Sequence, residues 1–349
     1  NGISQFSSIR NTASSSTLDR LGFKSEGTNL NLRYQNNTII ADSLFGIKYN
    51  LSNFDLNKYG FNHVTSEKTI GLYQNNNASQ LAILTDGIYN NIDFTVNTLD
   101  NQTSLLNTLS GLNLTYFKRA PSQLFDKDAR SLNQRVTKNV SNSNKDFVTI
   151  TYQVIAPPHS QLYVSIPNIS WSDDNNHSLS ITVNGMTKNQ VTDNTFDFFD
   201  LGYFETESMV TIKLSFPGNK AISFDNPSFY ALDTQNYQIA MDTINERDSK
   251  VTTSKNKVFV DYSSKTNASL FFTIPYDKGW TATINHKKVK IQRAQKGFMK
   301  VDVPSGKGKV VLTFIPYGLK TGSLISLLAS IIFCCYAYFI RKTTIIQKS

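Results

Sequence analysis

The chain has 349 residues, 39% hydrophobic and 12% aromatic, with a formal net charge of +9. This is long enough for two or three separately cored domains and too apolar for a disordered polymer. Its two cysteines, Cys334 and Cys335, both lie in one hydrophobic run, so disulfides cannot hold the remainder together.

The start, Asn1-Gly2-Ile3-Ser4-Gln5, is polar and carries neither Met nor a signal peptide, so an upstream segment is expected. Ser14, Ser15, Ser16 and Thr17 before Leu18 and Leu21, with Gly22 behind, predict a capped short helix with a glycine stop. A short helix and then a strand are expected over 38–51, and further strands over 69–75 and 79–85. A helix is expected within 92–112 from the spacing of Leu105, Leu106 and Leu109. Residues 1–118 are read as a small extracytoplasmic α+β domain.

Alternating runs at 147–154, 161–166, 179–183 and 210–216, with Asn184-Gly185 as a hairpin turn, predict a jelly-roll-like β-sandwich over 119–230. Residues 231–256 read as a helical connector with Tyr237, Met241 and Ile244 on one face. A second β run at 257–316 either completes the first sandwich or forms its own. Residues 323–340 hold no charge and reach the ~18-residue length at which a helix begins to span hydrocarbon. Arg341, Lys342 and Lys348 follow in a basic tail, 341–349, which favours a cytoplasmic C-terminus and an extracellular bulk. The fold class is therefore α+β, mainly β, with one C-terminal transmembrane helix.

Charge concentrates at 277–309. Lys278, Lys287, Lys288, Lys290, Arg293, Lys296, Lys300, Lys307 and Lys309 face only Asp277 and Asp302. Such a stretch beside a membrane attracts anionic head groups or an anionic polymer, or it forms the solvated faces of β-hairpins. Nucleic acid is not an expected partner for a chain outside the cell. His63, His159, His177 and His286 are scattered without ligand spacing, so no metal site is expected. Asp173, Asp174, Asn175 and Asn176 lack the glycine and distal Glu of a calcium loop and read as a surface turn. Tyr276, Asp277 and Trp280 form an aromatic–acid cluster that suits a sugar ring, the alternative being a Trp buried in a sandwich core. Trp171 beside Asp173 admits the same two readings.

Several segments together resemble one family. They are Gly2-Ile3-Ser4-Gln5-Phe6-Ser7-Ser8, Asp42-Ser43-Leu44-Phe45-Gly46-Ile47-Lys48-Tyr49, Ile274-Pro275-Tyr276-Asp277-Lys278-Gly279-Trp280, Val303-Pro304-Ser305-Gly306 and Phe314-Ile315-Pro316-Tyr317-Gly318-Leu319-Lys320-Thr321-Gly322. In this order they resemble the C-terminal half of the bacterial YfhO-like membrane proteins. The resemblance implies a polytopic GT-C type glycosyltransferase of Gram-positive bacteria. Such an enzyme takes sugar from a polyprenyl-phosphate carrier and passes it to an envelope glycopolymer such as lipoteichoic acid. It implies an upstream transmembrane domain of the same polypeptide as partner, besides the bilayer and teichoic acid. The catalytic acid then lies outside this chain, and no cofactor is expected within it. Ser7, Ser8 and Arg10 would stand near the mouth of that domain, where Arg suits a carrier phosphate; otherwise they are a polar connector. Tyr276, Asp277 and Trp280 become candidate substrate contacts, and Lys287, Lys288, Lys290 and Arg293 candidate polyanion contacts. The competing reading is a membrane-anchored carbohydrate-binding or adhesin-like protein without activity. Leu319-Lys320-Thr321-Gly322 comes close to a sorting motif but lacks its proline and spacer.

Overall fold

The computed structural model describes residues 12–26, 31–33, 38–139, 147–173, 177–191 and 198–346. Among them five helices interrupt an otherwise β chain: α1 (Thr12–Asp19), α2 (Ile39–Leu44), α3 (Thr98–Ser110), α4 (Thr234–Asn245) and α5 (Leu319–Ile346). The fold class is the mainly β, sandwich-plus-apolar-helix arrangement that alternation and hydropathy predict.

The local chemistry explains where the helices begin and end. α1 starts at Thr12, so the serines expected as its cap lie inside it, while Gly22 provides the left-handed stop at φ +97°. α3 starts only at Thr98, because Asn97 caps it by accepting from Leu99 N (3.1 Å) and Asp100 N (3.3 Å). Gly111 closes it at φ +77°. Asp233 caps α4 in the same way, and Tyr237, Met241 and Ile244 are buried along its face.

The two β runs have separate hydrophobic cores. In the first, a five-stranded sheet (order 186–191, 178–183, 208–217, 147–156, 122–124) and two four-stranded sheets enclose Val148, Ile150, Leu162, Ile212, Leu214 and Phe229. Asn184 and Gly185 both take positive φ in the hairpin between 178–183 and 186–191. In the second, a five-stranded sheet (249–254, 257–264, 306–314, 280–284, 287–289) faces a four-stranded one (292–294, 298–303, 268–272, 82–84) around Val258, Leu270, Phe272, Val301 and Leu312. All ladders among the described residues are antiparallel. Both sandwiches borrow strands from earlier in the chain: 117–119 pairs with 228–233, 122–124 with 147–156, and 82–84 with 268–272.

Helices α1 to α4 fill the space between the sandwiches and share one core with them. Tyr163 and Leu232 enter it from the first sandwich, and Ile83, Phe271 and Phe298 from the second. Each buried side chain of this size contributes about 1.5–3 kcal/mol of transfer free energy. Arg247 ties the layer together. Its guanidinium donates to Leu84 O (2.7 Å), Leu109 O (2.6 Å) and Ser110 O (2.5 Å), so it satisfies the orphan carbonyls at the end of α3.

α5 leaves this body. Its apolar part, Leu319–Ile340, is 22 residues long with mean hydropathy 2.1, and none of it is buried in protein. At 1.5 Å per residue it is about 33 Å long, enough for the ~30 Å hydrocarbon layer. Its entry is fixed by Ile315 N donating to Gly279 O at 3.0 Å. A Cβ on Gly279 would lie 2.4 Å from Ile315 O and 2.8 Å from the Phe314 ring. That ring is held against Trp280 at 5.0 Å. Gly279→Ala is therefore expected to cost about 1–3 kcal/mol by overpacking, visible as a lower thermal midpoint. Gly322→Ala, with nothing within 4 Å of its Cβ, should leave the midpoint unchanged.

Candidate functional site

The fold disperses the residues that the sequence groups together. Ser7, Ser8 and Arg10 lie outside the described residues, as do Asp174, Asn175 and Asn176. Trp280 is 5% exposed in the second sandwich core, so its ring presents no stacking face. Asp277 shapes a turn, its Oδ1 accepting from Gly279 N at 2.7 Å. Tyr276 is half-buried beneath Arg293, whose guanidinium carbon is 4.4 Å from the ring centroid. Trp171 is half-buried between His177, 5.1 Å away, and Phe216, 5.7 Å away.

The basic stretch is also divided. Lys287 and Lys288 are exposed on the edge strand beyond the Asn285-His286 tip, remote from α5. From there the chain turns back: Val289 pairs with Ala282, and Arg293 lies over Tyr276 in the 275–279 turn. Lys300 is not part of the basic surface: its Nζ is buried, donating to Tyr89 O (2.7 Å) and Asp302 Oδ1 (3.0 Å). Residue 300 alternates with the sandwich-facing Met299 and Val301, so it points into the helical layer, where the ammonium requires partners.

Two arrangements that the sequence did not single out arise around Asp42–Tyr49. The first is a buried polar junction. Thr38 caps α2, accepting from Ala41 N at 3.3 Å. One turn later Asp42 is fully buried, with Oδ2 accepting from Lys58 Nζ and Oδ1 without a partner. Around it Ser43 Oγ meets Tyr237 OH at 2.6 Å, Ile39 N donates to Tyr163 OH at 3.0 Å, and Gln161 Nε2 donates to Asp200 Oδ1 at 2.7 Å. Burial pushes the Asp42 carboxyl up to about 6; Lys58 opposes the shift and Asp200 adds to it. With Asp42 fully buried at its centre, this junction binds α2, α4 and the first sandwich together.

The second is a cleft of about 520 Å³ between the segment after α2 and the edge strand Ser249–Ser254 of the second sandwich. Gly46, Lys48, Gln74, Asn76, Ser79 and Thr253 line it. Gly46 sits at φ +65°, where a Cβ would lie 2.9 Å from Ser79 O, so the two walls approach closely only because of the glycine. Two amides build the walls. Asn75 Nδ2 donates to Ile47 O and Ser43 Oγ, both at 3.1 Å, and Gln80 bridges Ser249 O (3.0 Å) and Val251 N (2.7 Å). Ser79 Oγ is buried without a protein partner. The cleft thus offers amide, hydroxyl and ammonium groups with no nucleophile–base pair, which suits binding of a polyhydroxylated ligand. The Asp42-to-Tyr49 motif was the available signal for both sites. A six-residue helix has too few turns for its buried face to show as a period.

A β-rich body of two sandwiches, attached through one spanning helix, defines a membrane-anchored protein region. The chain belongs to the family described as bacterial membrane protein YfhO, whose model matches residues 1–326. It is 26% identical over 141 residues to an uncharacterized protein YfhO of Bacillus subtilis (strain 168), a match covering 38% of this chain and 16% of that protein. Among solved structures, the mycobacterial arabinofuranosyltransferase AftD is similar at 14% identity and TM-score 0.21, over 48% of this chain and 14% of that one. A Paenibacillus cycloisomaltooligosaccharide glucanotransferase is similar at 10% identity and TM-score 0.21, over 60% and 50% of the two chains.

The Asp42 junction gives a pH signature. Its folded pKa of about 6 lies above the ordinary 3.8, so its contribution to stability is full below about pH 4 and is lost as pH rises through 6. The span is at most about 3 kcal/mol. Denaturant unfolding of the full chain in detergent should show stability rising as pH falls from 7 towards 4, before other carboxylates intervene. Asp42→Asn, neutral at every pH, should flatten that slope.

Proposed function

We propose that the chain is the extracytoplasmic accessory region of a polytopic membrane glycosyltransferase. That enzyme moves sugar from a polyprenyl-phosphate carrier to an envelope polymer such as lipoteichoic acid. The observation carrying this reading is the family match across residues 1–326, joined to a spanning helix at the end of the same chain. The bulk of the chain then lies outside the cell, with the tail beyond α5 in the cytoplasm. The catalytic acid and the carrier site belong to the membrane domain of the intact protein. This region seats the acceptor.

Two surfaces support an acceptor role. The cleft presents Lys48, Gln74, Asn76 and Thr253 to a sugar or polyol repeat, and the exposed cations Lys287, Lys288, Lys290 and Arg293 attract a polyanion. Transfer of labelled sugar to lipoteichoic acid by the intact protein, reconstituted with a polyprenyl-phosphate donor, tests the reading directly. Absence of transfer to any envelope polymer overturns it.

Within that assay, replacing Lys287, Lys288, Lys290 and Arg293 by Glu should weaken acceptor use, most strongly at low salt, while donor binding persists. Gln74→Ala combined with Asn76→Ala should raise the acceptor KM by roughly tenfold, the equivalent of one or two hydrogen bonds. Kinetics unchanged by both sets would remove the acceptor role from this region.

A further inference from the structure

The strand order brings one end of the second sandwich to the foot of α5. Trp280 pairs with Phe314 and Lys257 with Thr313, and the helix begins five residues later at Leu319. Three turns end at this level. The first joins strands 249–254 and 257–264 and carries Lys255 and Lys257; the second, 275–279, carries Lys278. The third, 295–297, carries Lys296 and is tied to the second by Tyr276 N donating to Gly297 O at 2.8 Å. All four lysines are exposed. Tyr317 is 82% exposed, with Lys278 Nζ 5.8 Å from its ring, and Lys320 stands in the first turn of α5. The acid in these turns, Asp277, is directed at Gly279 N.

Ammonium groups on long stems, together with a tyrosine, ring the point where an apolar helix leaves its domain. This is the chemistry of the head-group layer, in which stems lie on apolar surface while charges meet phosphate. We propose that this end of the sandwich rests on anionic lipid head groups of the bilayer that α5 crosses. Lys255, Lys257, Lys278, Lys296 and Lys320 make the contacts, and Tyr317 is the interfacial anchor. The surface is distinct from the Lys287–Lys288 edge. Lys287 pairs with Ile284, four residues or about 13 Å along the strand from Trp280, beyond the ~8–10 Å screening length. Independently of what the cleft binds, the contact sets its height. Thr253 in the cleft wall is two residues from Lys255, about 7 Å along the strand, so the cleft opens close to the head groups.

Amide hydrogen exchange of the full chain, in nanodiscs of phosphatidylglycerol and of phosphatidylcholine, tests the proposal. Turns 254–257, 276–279 and 295–297 should exchange roughly tenfold more slowly over phosphatidylglycerol, with the difference shrinking in high salt and the 284–287 tip unaffected. Lys255→Glu, Lys278→Glu and Lys296→Glu together should abolish the difference, whereas Lys287→Glu with Lys288→Glu should retain it. Core exchange in 268–272 reports folding of each variant, and the wild-type lipid comparison decides the matter should the triple variant misfold. Equal exchange over both lipids overturns the proposal. So does equal protection at the 284–287 tip, or protection of these turns by soluble polyglycerol phosphate over phosphatidylcholine, which would assign the surface to polymer.

Discussion

In the strand Ala268–Phe272 every residue is buried, because its two faces belong to different cores. Ala268, Leu270 and Phe272 point between the sheets of the second sandwich, while Phe271 points among the helices. Strand 82–84 repeats the pattern with Ile83, and strand 160–165 with Tyr163 against Leu162 and Val164. Since side chains alternate strictly, a slip of one residue would exchange the cores and strand Ser269 or Gln161 among hydrocarbon. This double requirement sets the register of both inner sheets. It turns α1 to α4 into a middle layer rather than a separate lobe. The Asp42 junction, the cleft and the foot of α5 all lie where that layer meets a sandwich.

Much of this was legible in the sequence wherever one face meets a core and the other meets water. Strands 178–183 and 208–217 alternate cleanly, Asn184-Gly185 forms the expected hairpin, and α4 buries the stripe its spacing predicts. Strands buried on both faces show only as apolar runs, which say nothing about the partner. One partner of 268–272 is a three-residue strand, Ala82–Leu84, that precedes helices α3 and α4 in the chain. Charge misleads for the same reason. Lys300 reads as surface until Tyr89 O and Asp302 are seen beside it. Tyr276, Asp277 and Trp280 are neighbours in sequence, yet the fold gives one a cation to hold, one a turn to close and one a core to fill.

The functional surfaces follow from the same geometry. The cleft needs segments around residues 46, 76 and 252, which no local pattern connects, and it forms because a glycine lets two walls approach. The continuous basic stretch of the sequence is split between the hairpin tip at Lys287 and Lys288 and the turns at the opposite end of the second sandwich. The family to which the chain belongs is one of membrane proteins.

The borrowed strand 82–84 also governs the order in which the chain can acquire structure. Thr85 finds its hydrogen-bond partner Ser269 only 184 residues later in the chain. Closure over so long a loop is entropically slow, and until it happens the inner sheet of the second sandwich lacks an edge. A chain emerging N-terminus first therefore passes through a long interval with Ala82, Ile83, Leu84 and one side of the helical layer uncovered. In that interval it is a substrate for chaperones and proteases. Truncation before residue 268 would leave the earlier part of the chain caught in that state, however well its own strands pair.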